Sequence, residues 1–428
     1  MTTKQSKGSS YAWLILVACI GFYALPVGII GNTSGIFIKP VMDEFGWTRT
    51  EATLYMTLQP WVGALFTPLA GKLMAKYNPR WLLTASVLVY GLATIWTAYA
   101  DQPWQWAAYG VIYGISCAFF MFLAAPTLIS AWFAKGAGLA MGIAGGVLSG
   151  TAALASPIGQ SLIANHGWQY ARLWMGVVMT IFATLLTVIF VRKSPASMGV
   201  LPWGAETVAK TTDGATATVV EEGATLGQAK KSPAFYLLML VGGLFVMGAA
   251  FFQQIPSYAA NGDLGATAGA MAVSIIMIGS MVGKFLLGWL SDLLGTKTTG
   301  IIAGVAGAAG LTLAFQAGSN TGMFYLGMGL FGIAFAALTI VTPMLARQAF
   351  GTMHYSEVYS WVSTSILVFS GLAALVYAQI YDITGSLSPA FILVIVFYLV
   401  IALAVPYIAS AGPKVWKTST AKQEELVG

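Results

Sequence analysis

The sequence predicts an all-α membrane protein in which twelve transmembrane helices form two pseudo-symmetric six-helix bundles. Four observations predict it. Of 428 residues only 8% are charged and 58% are apolar, whereas a soluble domain carries about a quarter charged residues. Apolar runs recur along the whole chain, each of the roughly 20 residues that a helix needs to cross a bilayer. No ten-residue alternation of apolar and polar positions appears, which argues against a β-barrel. Finally, a polar segment divides the runs six and six, and the two sets match each other at one fixed offset.

The spans read, in order, 12–38, 52–75, 81–100, 104–133, 137–164, 169–191, 234–260, 266–291, 298–318, 322–347, 356–381 and 388–411. The expected organisation is a first bundle over 1–192, a linker over 193–232, a second bundle over 233–412 and a tail over 413–428. The linker is rich in Thr, Ala, Gly and charge and cannot build a core. "GKLMAKYNPR" from Gly71 lies 217 residues before "GWLSDLLGTK" from Gly288, and "PTLISAWF" from Pro126 lies 217 before "PMLARQAF" from Pro343. Two matches at one offset imply a parallel duplication, as in transporters built from two six-helix halves.

Orientation follows from Lys and Arg, which concentrate on cytoplasmic loops. With the N-terminus inside, sixteen of the twenty fall on the cytoplasmic side: Lys4, Lys7, Lys72, Lys76, Arg80, Lys135, Arg192, Lys193, Lys210, Lys230, Lys231, Lys297, Arg347, Lys414, Lys417 and Lys422. Lys39, Arg49 and Arg172 fall outside, and Lys284 lies within a span. Both termini are therefore expected in the cytoplasm, in a multi-pass protein of the inner or plasma membrane. The net charge of +6 reflects this topology and needs no nucleic-acid partner. Cys19 and Cys117 both lie in spans, so no disulfide framework is expected, and no cleavable signal is evident.

The loop Gly288, Leu290, Asp292, Gly295, Lys297 resembles the G-x-L-x-D-x-x-G-[KR] loop of the major facilitator superfamily. The first-half copy, Gly71 to Arg80, has Ala75 in place of the acid and Asn78 in place of the second glycine. A narrower likeness is to the monocarboxylate transporter and oxalate–formate antiporter group. It is carried by "WFAKGAGLAMGIAGG" (Trp132 to Gly146), "FGWTRTEATLYMTL", "TLGQAKKSPAFYLL" and "FGTMHYSEVY". The resemblance implies alternating access without a cofactor. It makes Gly71, Arg80, Gly288, Asp292 and Lys297 gating residues, with Asp292 near the start of span eleven locking the outward-open state.

Lys284 is the sharpest single signal. A lysine at a helix centre costs on the order of 3 kcal/mol, so it faces a watery cavity or a partner. Snorkelling is the plain alternative, but Lys284 lies about 12 Å along the axis from Asp292. The resembled group carries an arginine there, in the pattern [RK]-x-x-x-G, and it binds the substrate carboxylate. One turn earlier that group often has an acid linked to proton coupling, and here stands Ser280. It also has, in the oxalate carrier, a second cation in span eleven, and "SWVSTSILVFSG" from Ser360 has none. One cation suits one carboxylate.

Further candidates for the substrate cavity are Asn32, Gln59, Phe122, Gln253, Gln254 and Trp361, each of which can equally serve helix packing. Gly138, Gly142, Gly146 and Gly150 form a small-residue face on span five, and Gly279 and Gly283 a similar one on span eight. Pro26, Pro60, Pro68, Pro126, Pro157 and Pro343 are expected to kink their helices.

Enzyme classes are disfavoured: no H-E-x-x-H, no G-x-S-G and no pair of intramembrane acids occurs, and His166 and His354 sit at span ends. No metal or cofactor is expected. The expected activity is secondary transport of a small organic, monocarboxylate-like anion by a monomer, with a proton or counter-anion as coupling partner and Lys284 on the carboxylate. The alternative is a neutral or zwitterionic solute, with Lys284 as a coupling or gating charge.

Overall fold

The computed structural model describes residues 8–205, 223–262 and 264–427. Lys4, Lys7, Lys210 and the middle of the linker, 206–222, lie outside the described residues, as do the side chains of Arg49, Lys414, Lys417 and Lys422. Within the described residues the chain is helical and forms no sheet. Among the described residues eleven helices are long and apolar enough to cross a membrane. The expected second span is the helix Arg49–Lys76, long enough at about 42 Å but more polar, with Gln59, Pro60 and Pro68 inside it. It opens on a capping box in which Glu51 N–H donates to Thr48 Oγ1 (3.3 Å) and Thr48 N–H donates to Glu51 Oε2 (2.8 Å).

The spans fall into three kinds. Spans one, four, seven and ten are broken part-way. Span one widens over Ala24–Gly31, where Asn32 N–H donates to Val27 O five residues back at 2.8 Å, and span four widens over Phe120–Ala124. Span seven tightens over Phe251–Gln254 and span ten over Ala336–Thr339. A proline adjoins each break: Pro26, Pro126, Pro256 and Pro343. Proline supplies no N–H for the carbonyl four residues back, so the regular ladder cannot continue there. Breaks of this kind recur at functional sites.

Spans two, five, eight and eleven are instead continuous helices: Arg49–Lys76, Ala137–His166, Ala266–Leu294 and Tyr355–Thr384. Pro60, Pro68 and Pro157 are absorbed within them without interruption. They form the seam between the halves, span five packing on span eight and span two on span eleven. The remaining spans, Pro79–Trp96, Trp168–Phe190, Thr296–Phe315 and the helix from Ser388, lie outermost. They expose Leu92, Ile181, Ile189, Val305 and Leu403, an apolar belt that lipid solvates. Each half keeps its own aromatic core, Tyr55, Tyr90, Trp106 and Tyr109 in the first, Phe251, Phe331, Phe391 and Tyr398 in the second.

At the end carrying most of the basic residues, the linker is tied to both halves at pseudo-equivalent loops. Trp203 N–H donates to Trp132 O (2.8 Å), and Ala134 N–H donates back to Trp203 O (2.9 Å). Ala224 N–H donates to Phe350 O (2.8 Å), and Phe350 lies 217 residues after Phe133.

Candidate functional site

Lys284 stands in the seam. Its side chain is 6% exposed, and its Nζ donates to Ser149 Oγ of span five at 2.6 Å. The stem lies along Gly145, where a Cβ would come within 3.2 Å of Lys284 Cδ and 3.6 Å of Thr339 Oγ1. The ammonium thus crosses from the second half to the first beside the break in span ten. Among the described residues the single ion pair is Lys39 with Asp43, so no carboxylate neutralises Lys284. One turn away, Ser280 Oγ is buried with no hydrogen-bond partner. A buried cation with one neutral acceptor is costly unless a counter-charge arrives.

The other sequence candidates are spread over the molecule. Gln59 Nε2 donates to Cys117 Sγ at 3.3 Å inside the first half. Phe122 lies in the widened turn of span four and is half-buried, while Asn32 and Gln253 are exposed at the breaks of spans one and seven and Gln254 is half-buried. Trp361 stands near the basic end, with Lys230 Nζ of the linker 3.8 Å over its ring. Lys284 is joined by a hydrogen bond to Ser149, and both Lys284 and Thr339 border Gly145; the sequence reading nominated neither Ser149 nor Thr339. Tyr359, stacked on Tyr355 at 5.3 Å and beside Tyr23 of span one and Ser363, is a further aromatic group at the seam that it missed.

The gating residues gather at the basic end, with one correction. Asp292 does not cap span eleven. Its Oδ1 accepts from Gly138 N–H (3.0 Å) and its Oδ2 from Leu139 N–H (2.7 Å), at the start of span five. A carboxylate there satisfies two of the orphan donors of the helix end and faces its positive pole. Gly288 allows the close approach that this requires, since a Cβ would lie 2.5 Å from Gly138 O. Gly71 does the same opposite Ser356 and Ser360 of span eleven. Lys297 is exposed in the first turn of span nine. Arg80 lies with its guanidinium 5.1 Å from the Trp81 ring. Arg347 adds a latch that the sequence reading did not nominate, donating from Nη2 to Phe133 O across the halves at 2.6 Å.

The glycine faces require a second correction. Gly138, Gly142 and Gly146 do meet span eight, at Gly288 O, Lys284 O and the Phe285 ring, but a Cβ on Gly150 would find nothing within 4 Å. Gly279 and Gly283 face away from the seam, against Gly329, Gly332 and Ile333 of span ten. The span-eight face that meets span five is Lys284, Gly288 and Ser291. Close packing of these two spans therefore runs from the basic end as far as Gly146 and is absent at Gly150.

Arg172 is also not the loop charge its position near a span end suggests. It is fully buried in span six, its Nε donates to Thr97 Oγ1 at 2.9 Å, and its guanidinium carbon lies 5.0–5.5 Å from the rings of Phe37, Trp106 and Tyr109. Among the described residues no group of three or more His, Cys, Asp or Glu gathers as a metal site.

Comparison with known proteins places this geometry in context. The family model of the Major Facilitator Superfamily matches residues 12–278 and 255–427. An uncharacterised transporter of this type from Escherichia coli, YhjX, is 24% identical over 303 residues, covering 69% of this chain and 70% of the relative. The transporter pytF of Aspergillus terreus is 27% identical over 301 residues, 67% of this chain and 92% of its own. Among solved structures, the transporter FucP in its outward conformation superposes with a TM-score of 0.69 at 15% identity, over 92% of this chain and 97% of FucP. The proton:xylose symporter XylE, bound to a bromodeoxyglucose, gives 0.69 at 14% identity, over 94% and 95%. At such identities the two structures establish the fold.

Proposed function

Because the chain belongs to the Major Facilitator Superfamily, we propose that it moves a small organic anion of the monocarboxylate kind across the cell membrane by alternating access, with Lys284 on the carboxylate. The observation that carries this reading is the unneutralised ammonium of Lys284, buried in the seam with Ser149 as its acceptor. A carboxylate arriving at Nζ supplies the missing counter-charge, and Ser280 and Ser149 stand within a turn of it as hydroxyl partners. The single lysine gives a point charge rather than a bidentate fork, which suits one carboxylate. The halves act as bodies 1–192 and 233–412, joined by the linker 193–232. The basic end, with both termini and the tail 413–428, faces the cytoplasm. There the seam is closed by Asp292 on span five and by Arg347 on Phe133. The cavity walls are drawn from the broken spans, which brings Asn32, Phe122, Gln253 and Gln254 into the substrate path. A proton or a counter-anion completes the cycle, with Lys284 itself a candidate for the proton.

A second reading has its own support. Lys284 donates across the halves, so it belongs to the contact that must break during the cycle. In that case it is a gating or coupling charge, and the solute is neutral or zwitterionic. Uptake of radiolabelled lactate, pyruvate, formate, oxalate and larger monoacids into proteoliposomes separates the two. On the first reading one monoacid is carried and Lys284→Gln abolishes its uptake in a folded protein. If no acid is carried, or if Lys284→Gln transports normally, that reading fails.

A further inference from the structure

Between spans four and five the chain runs through Phe133, Ala134 and Lys135, and the linker pairs with this stretch. Phe133 ends the helix Ala125–Trp132 in extended backbone, at φ −117° and ψ 108°. In extended chain the backbone groups of successive residues point to opposite edges. Trp132 O and Ala134 N–H meet Trp203 on one edge, at 2.8 and 2.9 Å. Phe133 O faces the other edge, where Arg347 Nη2 of the second half donates to it at 2.6 Å. A carbonyl at a helix C-terminus lies at the negative pole of that helix and suits a guanidinium.

Rings fasten the same pairing. Trp203 meets Trp13 of span one edge-on at 5.5 Å, and Trp13 meets Phe133 in the same way at 5.6 Å. Gly204, the next residue, has φ +77°, and a Cβ there would come within 2.6 Å of Lys135 Cβ. A side chain at 204 would therefore push linker and loop apart. The far end of the linker holds the other partner of the latch. Ala224 N–H donates to Phe350 O at 2.8 Å, at the end of the helix Val341–Phe350 that carries Arg347. Acceptor and donor are thus both held from behind by the linker, each at the end of a helix.

We propose that Trp203 is a positioning residue for the transport cycle: it fixes the Phe133 carbonyl that Arg347 grips, so that the linker sets how firmly the basic end is shut. The backbone bonds of Trp203 and its ring contact go to the first half, so its route to the seam is Phe133. Freed of the pairing, Phe133 can turn, and its carbonyl leaves Arg347. The inference rests on alternating access, in which this end closes and opens, and not on the substrate of Lys284.

The test uses the full chain in nanodiscs, with spin labels on spans five and eight at the basic end and a second pair within the first half. Pulsed dipolar spectroscopy reads the ratio of the longer, open distance to the shorter, closed one. Arg347→Gln should raise this ratio about tenfold, from the loss of one charge-assisted hydrogen bond. Trp203→Ala should raise it about fivefold, from the lost ring contact, and Trp203→Phe should restore most of the wild-type ratio. The deciding variant combines Trp203→Ala with Arg347→Gln. Because Trp203 acts through the latch, its loss should add less than about twofold there. The pair within the first half should not move. Gly204→Val, alone and with Arg347→Gln, should behave as Trp203→Ala does, and decides the matter if that variant does not fold. Equal effects of Trp203→Ala with and without Arg347, or no effect in either background, overturn the proposal. Movement of the pair within the first half would show a merely structural role and overturns it too. A wild-type ratio in Arg347→Gln would remove the latch and the proposal with it, while monoacid uptake, read separately, decides the role of Lys284.

Discussion

Among the described residues two cations are buried without a carboxylate partner, Arg172 and Lys284, and they are held in opposite ways. Arg172 is enclosed by Phe37, Thr97, Trp106 and Tyr109, which come from spans one, three and four of its own half. Lys284 reaches out of its half to Ser149, with Thr339 near its stem. On the proposed alternating access the cage of Arg172 moves as one, whereas the contact of Lys284 with Ser149, which joins the two halves, is made and broken. Burial of a charge alone therefore does not mark a site. What marks it is whether its partners lie on the same rigid body.

The largest expected effects break this comparison in opposite directions. Arg172→Ala removes three ring contacts, each of about 0.5–2 kcal/mol, and leaves a void, so it should cost about 3 kcal/mol of stability. The unfolding midpoint records that loss, while uptake per folded molecule should stay within about threefold. Lys284→Gln should do the reverse, leaving the midpoint nearly unchanged while uptake falls. A folded but inactive Arg172→Ala would show that the brace is part of the transport machinery.

A smaller effect tests the seam itself. Gly142→Ala pushes a methyl group against Lys284 O, where overpacking costs about 1–3 kcal/mol. Spin labels at the basic end of spans five and eight should report a larger separation in this variant. Gly150→Ala meets nothing within 4 Å and should leave the distance unchanged. Equal responses at both positions would mean that the contact between spans five and eight does not stop at Gly146.

Much of this was legible in the sequence, for physical reasons that also explain the misses. Lys284 stood out because a charge in an apolar run has few bland explanations. Ser149 did not, because a serine in a Gly- and Ala-rich helix can satisfy itself on the preceding turn, and Ser149 Oγ does lie 3.4 Å from Gly145 O. Arg172 looked like a loop cation because it sits one turn inside a span, and its cage is scattered from Phe37 to Tyr109. The breaks at Pro26, Pro126 and Pro343 were foreseeable from the missing N–H. Pro256 acts in the same way in span seven and was overlooked. The same residue type at Pro60, Pro68 and Pro157 leaves continuous helices, so proline permits a break without imposing one. The partner of Asp292 was misplaced because a loop motif specifies an acid near a helix end and leaves open which helix end it meets.

The smallest effect concerns that corner. Asp292→Asn keeps the shape of the side chain but only one acceptor oxygen, so one of the two N–H groups, Gly138 or Leu139, loses its bond. The remaining amide turns its own N–H2 toward a donor, and the charge facing the helix pole is gone. Together these are worth about 1 kcal/mol at an exposed helix end, or about a fivefold shift toward the state open at the basic end. Fold and expression should not change, since the carboxylate is exposed and contributes only to the contact between halves. Labels placed as for Gly142→Ala should show a second, longer distance that grows in population, without movement of the mean within either half. An unchanged population would mean that Arg347 on Phe133 and the Gly71 corner suffice to keep this end shut. The state would then be set by the contacts that lack an acid, Arg347 on Phe133 and Gly71 against Ser356 and Ser360.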